Sequence, residues 1–248
     1  FIVIYLFSSF IYIILHDLKL FRLHFALSSF LIILCLIYGK YRLDGNPTKF
    51  LDITIRLIQP STQQSTKWDE DQFWKDLDRH IMLSNHDNGF KPDLILWSES
   101  AIAAPINYQE IRDYISEQII FPNSYILTGS IYQEEECKEQ NSNCRLFVSF
   151  AAIDRKGDIV LLYHKIHLVP FGEYIPFKNI IPIKKVTVGH TDFTPGQTAK
   201  ILPLNNLNVR PLICYEAIFP DEIDANIGNA DILINITNDA WYGDSMGP

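Results

Sequence analysis

Positive charge is scarce in this chain. Against 29 Asp and Glu there are 21 Lys and Arg, a formal net charge of −8. Four of those cations and one acid fall in residues 1–42, so the remainder carries 17 basic and 28 acidic side chains, a net of about −11. Such a surface is repelled by phosphate backbones and by anionic lipid, and no basic stripe interrupts it. Nucleic acid is therefore excluded as a partner, and charge alone would not hold the domain to a membrane. Internal repeats and low-complexity tracts are missing as well. Ser98 and Ser100 lack the Gly-x-Ser-x-Gly elbow of a serine hydrolase. His164 and His167 flank Lys165 after a strand-like run, but no third ligand accompanies them, so no metal site is expected.

Cysteine is limited to four residues. Cys35 lies in an apolar run and reads as inert packing. Cys137 and Cys144 bracket a polar loop, where they either pair in an oxidising compartment or stay as two thiols. Cys214 ends a strand-like run and reads either as a buried structural thiol or as a nucleophile.

Apolar sequence is plentiful, and its distribution is uneven. Phe1 to Leu15 is apolar apart from two serines, and Phe21 to Tyr38 is a second such stretch, with Arg22 and His24 near its start. Each approaches the roughly 17–25 residues that span a bilayer. Residues 16–20 suit a tight turn, so residues 1–42 read as a transmembrane helical hairpin. The alternative is a signal peptide followed by a buried helix, but no basic segment precedes the first stretch and no small-residue cleavage site follows it. Lys19 and Arg22 on one side of the second stretch balance Lys40 and Arg42 on the other, so charge does not orient it. The chain opens on Phe1 without an initiator methionine, which suggests a longer first helix. Gly39, Gly45 and Pro47 mark a linker, taken as residues 43–50.

From residue 51 onward, strand-like and helix-like segments alternate. Leu51–Ile58 shows period-two alternation, and a helix is expected from Ser65 or Thr66 with Asp69, Glu70 and Asp71 in its first turn. Its expected apolar face is Phe73, Trp74, Leu77 and Ile81. A strand leads to Glu99, and Ile111, Tyr114, Ile115 and Ile119 mark a second amphipathic helix. Further strands are expected at Ser124–Tyr132, Arg145–Ile153, Asp158–His164, Val209–Cys214 and Ala230–Thr237, with a hairpin turn at Arg155–Asp158. This pattern implies an α/β sandwich over residues 51–248. The stop at Pro248, straight after a strand and its loop, suggests a domain incomplete at its C-terminal end.

Three of those strand-like runs end on a reactive side chain: Glu99, Lys165 and Cys214. A carboxylate, an amine and a thiol at strand ends can meet at one sheet edge as base, oxyanion partner and nucleophile. Pro170–Pro176 is a proline-bounded aromatic turn, and reads either as a rigid surface loop or as a device that brings Glu173 beside Lys165.

Four segments carry a resemblance. Trp97-Ser-Glu99-Ser, Tyr163-His-Lys165-Ile-His-Leu-Val-Pro-Phe-Gly-Glu173-Tyr-Ile-Pro176, Ile213-Cys214-Tyr-Glu216 and Asn235-Ile-Thr-Asn238-Asp-Ala-Trp241-Tyr-Gly resemble the apolipoprotein N-acyltransferase family. This is the membrane branch of the carbon–nitrogen hydrolase (nitrilase) superfamily, and the match covers roughly residues 51–248. The resemblance implies a nitrilase-like αββα sandwich behind membrane helices. It makes Glu99 the general base, Lys165 the oxyanion stabiliser and Cys214 the nucleophile, with Glu173 and Glu216 as supporting carboxylates. Trp68 matches a position that helps shape the lipid-facing side of the site. The implied reaction is ping-pong, within lipoprotein maturation. A phospholipid acyl chain passes to Cys214 as a thioester, then to the amino group of a diacylglyceryl-cysteine apolipoprotein, with no metal or organic cofactor. The implied location is the bacterial inner membrane, multi-pass, with the catalytic domain facing the periplasm. Ser98 stands where the family usually has proline, and Val148 where asparagine is common. The resemblance also implies further membrane helices before this chain and further strands, a helix and a membrane segment after it. Two other readings are a catalytically inactive fragment of such an enzyme and a membrane-tethered amidase or nitrilase.

Overall fold

The computed structural model describes residues 1–45, 50–62, 67, 69–87, 89–134, 144–176, 192–198, 201–220 and 229–243. Ser65, Thr66, Trp68 and Cys137 lie outside the described residues. The chain divides into two compact units, Phe1–Asp52 and Ile53–Pro248.

In the first unit, α1 (Ile2–Ser8) and α2 (Ile11–Ile14) fold back on α3 (Leu18–Gly45). The reversal passes through His16 at φ 58°. Phe10 packs between Phe21 and Phe25, and the His24 ring is covered by Tyr5, which also hydrogen-bonds it, and by Tyr12. At 28 residues α3 is about 42 Å long, enough to cross a bilayer core of ~30 Å. The first arm is interrupted at Ser9–Phe10 into helices of 7 and 4 residues, so α3 is the one described helix long and apolar enough to span. The glycines at 39 and 45 led to the expectation of a linker from residue 43, yet α3 runs to Gly45. A lone helix glycine costs only ~1 kcal/mol, and Lys40, Tyr41, Arg42 and Leu43 are all compatible with helix.

The second unit is built on two sheets. Among the described residues the larger has six strands: β1 (Ile55–Leu57), β2 (Leu94–Leu96), β3 (Ile102–Pro105), β4 (Tyr125–Gln133), β5 (Leu146–Ile153) and β6 (Ile159–His164). The order is β1-β2-β4-β5-β6, parallel up to β4 and antiparallel beyond it, with β3 also paired to β4. The β5–β6 hairpin turns at Gly157, φ 78°, and Asp154 accepts hydrogen bonds from the Lys156 and Asp158 amides. The smaller sheet has the order β7 (Leu202–Leu204), β8 (Leu207–Ile213), β9 (Ile232–Ile236).

Alternation along the strands sorts the core into two layers. Ile95, Ile126, Ala151 and Ile153 face the helices α4 (Glu70–Ser84) and α5 (Gln109–Gln118), where they meet Leu77, Ile81, Ile111 and Ile115. Their neighbours Leu94, Leu127, Phe150 and Ala152 face the second sheet and pack on Leu204, Val209, Ile213, Ile234 and Ile236. Helices, sheet and sheet form three layers of the nitrilase-like αββα sandwich.

The expected helix α4 starts at Asp69, whose side chain accepts the Asp71 amide as an N-cap. Its buried face is Leu77, His80, Ile81 and Ser84, with Phe73 partly buried, so Trp74 falls one position off the stripe. Trp74 is exposed and stacks edge-on against Phe73 and Tyr114.

Candidate active site

Glu99 follows β2 by three residues, Lys165 follows β6 directly, and Cys214 follows β8 directly. The larger sheet supplies the acid and the amine, and the smaller sheet supplies the thiol. Glu99 and Lys165 are 5% and 1% exposed. The Lys165 ammonium donates to Glu99 Oε1 at 3.3 Å and to Glu173 Oε1 at 2.7 Å. Burial alone would push the Lys165 pKa down, but Glu99 and then Glu173 outweigh it and hold the ammonium above its usual value.

Glu99 is fixed from both sheets. Its amide donates to the Thr237 carbonyl at 3.4 Å, and the Asn238 amide donates to its Oε2 at 3.1 Å, both beyond the end of β9. Beneath it, Gly129 in β4 leaves room for the Glu99 backbone, since a Cβ there would stand 2.6 Å from the Ser100 nitrogen and 2.7 Å from Glu99 Cα. A strand-interior glycine is the sequence mark of such an approach.

Cys214 sits at φ 50°, in the left-handed region that costs a non-glycine residue roughly 1 kcal/mol. Ser100 and Phe171, in the two loops that carry Glu99 and Glu173, also have positive φ, 50° and 64°. Strain of this kind persists where the surroundings over-determine the backbone. Around Cys214 that determinant is Glu216, 3% exposed. One carboxylate oxygen accepts from Tyr163 Oη at 2.8 Å and from the Ile166 and His167 amides at 2.7 and 3.3 Å. The other accepts from the Ile213 amide at 2.9 Å. Glu216 thus ties the turn at Cys214 to the segment following Lys165. Glu173 does the same for its own loop, accepting the Val169 amide at 2.8 Å.

The Thr237 hydroxyl donates to the Cys214 sulfur at 3.4 Å, and the Glu99 side chain lies close enough for its charge to act on the thiol. Burial, followed by the Glu99 charge, pushes the thiol pKa up, and Thr237 and Lys165 only partly offset this. The resting group is a thiol facing a carboxylate, so the proton must leave as the sulfur attacks. Such a site suits general-base activation of a thiol with an ammonium placed for a developing oxyanion.

Glu99, Lys165, Cys214, Glu173 and Glu216 therefore converge on one place. His164 and His167 diverge. His164 stacks on Phe147 and bonds Ser149, while His167 stacks on Phe219. Cys144 is in a disulfide whose partner lies outside the described residues, and Cys35 and Cys214 are free. Sequence reasoning assigned no role to Thr237, Tyr163, the Asn238 amide or Lys67, whose ammonium donates to the Glu99 carbonyl at 3.3 Å.

A profile of the carbon–nitrogen hydrolase family matches residues 54–248. The chain belongs to that family. Curated relatives include proteins of Rickettsia prowazekii (strain Madrid E), 39% identical over 249 residues, and Rickettsia bellii (strain RML369-C), 40% identical over 249 residues. Both are named apolipoprotein N-acyltransferase, and each match covers 100% of this chain and 49% of the relative. The chain thus spans about half the length of the curated relatives it matches. Among solved structures, an amidase from Nesterenkonia sp. superposes with a TM-score of 0.51 at 15% identity, over 77% of this chain and 66% of that one. That likeness concerns the fold of this carbon–nitrogen hydrolase, whose layers it shares.

Proposed function

We propose that this carbon–nitrogen hydrolase chain carries the acyl-transfer site of a phospholipid-to-apolipoprotein N-acyltransferase. The observation that carries the reading is the convergence of the half-buried Cys214 thiol with Glu99, whose charge acts on it, and with the Lys165 ammonium bonded to Glu99 at 3.3 Å. The names of the relatives favour transfer to a lipoprotein over hydrolysis.

In the first half-reaction Cys214 Sγ attacks the acyl carbonyl of a phospholipid ester as Glu99 takes the thiol proton. The tetrahedral oxyanion is held by the Lys165 ammonium. Collapse expels the glycerol oxygen of the lysophospholipid, which recovers the proton from Glu99, and leaves a Cys214 thioester. In the second, the amino group of a diacylglyceryl-cysteine apolipoprotein attacks the thioester. Glu99 accepts its proton, and the departing thiolate takes that proton back as the amide forms. Dividing one transfer into two is the gain from covalent catalysis. Glu173 keeps Lys165 in place, and Glu216 shapes the turn under Cys214.

A lipid substrate is supported by side chains on the segments that bear the site. Phe171, Ile218 and Tyr242 are exposed to 40%, 59% and 51%, on the loop of Glu173, the turn of Cys214 and the turn after Asn238. Exposed apolar side chains are ordinary when scattered singly, but three on the segments that bear the site suit an apolar substrate. The same reading has the helices up to Gly45 as membrane hairpin and residues 51–248 as catalytic domain. It locates that domain on the periplasmic side of the inner membrane in a multi-pass protein.

With the chain reconstituted in phospholipid vesicles, a synthetic diacylglyceryl-cysteine peptide should gain the mass of one acyl chain through a hydroxylamine-stable amide. Release of free fatty acid with an unmodified peptide would identify a hydrolase instead and overturn the transferase reading.

A further inference from the structure

Lys67 is 7% exposed and lies immediately before the N-cap region of α4, with its ammonium against the Glu99 carbonyl at 3.3 Å. Among the described residues no carboxylate stands within ion-pair distance of it. A buried ammonium without a paired acid is costly, and a snorkelling lysine would normally reach solvent. Here the side chain instead ends at the backbone of the residue proposed as base.

The charge balance of the site gives it a task. Glu99 and Glu173 share the single ammonium of Lys165, two acids against one cation. We propose that Lys67 is the second cation of this site, a positioning residue that anchors the Glu99 main chain and sets a second positive charge beside Glu99. The proposal rests on Glu99 acting as the base.

The charged groups around Lys67 are few. Glu99 and Asp76 interact with it electrostatically, and His80 lies close enough for its own titration to feel Lys67. His80 is pushed down by burial, its Nδ1 bonds the Asp76 carbonyl, and it is neutral near pH 7. The Lys67 ammonium is pushed down by burial to about 8, with Glu99 and then Asp76 opposing the shift. It is therefore charged at neutral pH. The interaction is mutual, so a cation that the Glu99 carboxylate stabilises also stabilises the carboxylate. Glu99 in turn faces Lys165 and Cys214, both of which remain in any Lys67 variant.

Iodoacetamide alkylation of Cys214 reads this without any lipid substrate. The rate is followed from pH 5 to 9 on the full chain and resolved at the Cys214 peptide by mass spectrometry, because Cys35 is also a free thiol. In the wild type the rate falls on the acid side as the base takes up its proton. Lys67→Met and Lys67→Gln should move that acid limb up by roughly one pH unit, the scale of losing one opposite charge nearby. Lys67→Arg should leave it in place. The wild-type profile should also carry an inflection near pH 8, where Lys67 gives up its proton, and Lys67→Arg should lack it even if the neutral variants do not fold. An unmoved acid limb in the neutral variants, an equal movement in Lys67→Arg, or an inflection retained in Lys67→Arg would each overturn the proposal. Glu99→Gln separates this from failure of the base reading. If Glu99→Gln keeps the wild-type acid limb, Glu99 is not the base, whatever Lys67 does.

Discussion

Replacing Lys165 by methionine should slow acyl transfer about 10³-fold and destabilise the catalytic unit by roughly 3–5 kcal/mol. The two losses share one origin. Lys165 is fully buried, 3.3 Å from Glu99 and 2.7 Å from Glu173. Methionine fills the volume but leaves two carboxylates facing each other in a buried space, and one of them must take a proton. If that proton goes to Glu99, the base is lost; if it goes to Glu173, the oxyanion still lacks its cation. Chemical denaturation measures the stability term, and single-turnover acylation of Cys214 measures the kinetic one. A variant with wild-type acylation would remove Lys165 from the mechanism.

Glu216→Ala should damage the structure by a comparable amount. The substitution strands the Ile166, His167 and Ile213 amides and the Tyr163 hydroxyl, and unpaired buried groups cost about 1–3 kcal/mol each. Even if half of them find water, the loss is ~4 kcal/mol, or roughly 10 °C in Tm for a unit of this size. The turn would also lose the tie that holds Cys214 at positive φ, so acylation should fall further than stability alone explains. Glu216→Gln keeps an acceptor for part of the set and should lie between wild type and alanine. Thermal unfolding of the three proteins in the same detergent orders them.

Much of this was legible along the chain, because it is local. Ile126, Leu127 and Phe150 belong to short unbroken apolar runs, and such runs mark strands buried on both faces. Glu99, Lys165 and Cys214 stand out because each interrupts or ends one of those runs. The short strands β3 and β7 escaped notice. Each is only three or four residues long and contains proline, Pro105 and Pro203, and each is held by its neighbours: β3 by β4, with Ser130 bonding the Ala104 carbonyl, and β7 by a hairpin through Asn205 at φ 52°. The Asn205-Asn206 pair between two leucines was the available signal. The supports of the site were illegible for a different reason. Asn238 reaches Glu99 across 139 residues and Lys67 across 32, and no periodicity encodes a pairing between sheets or between a helix entry and a strand exit. Lys67 itself precedes a run of acids, where a lysine reads as surface charge.

The claim on which the rest depends is that Cys214 becomes covalently acylated. The chain, purified with phospholipid bearing a labelled acyl chain and quenched in acid before any acceptor is added, should yield a Cys214 peptide heavier by one acyl group. Hydroxylamine should remove that group, and the label should be missing from Cys214→Ala and strongly reduced in Glu99→Gln. Label that persists in Cys214→Ala, or that resides on another residue, would contradict the account.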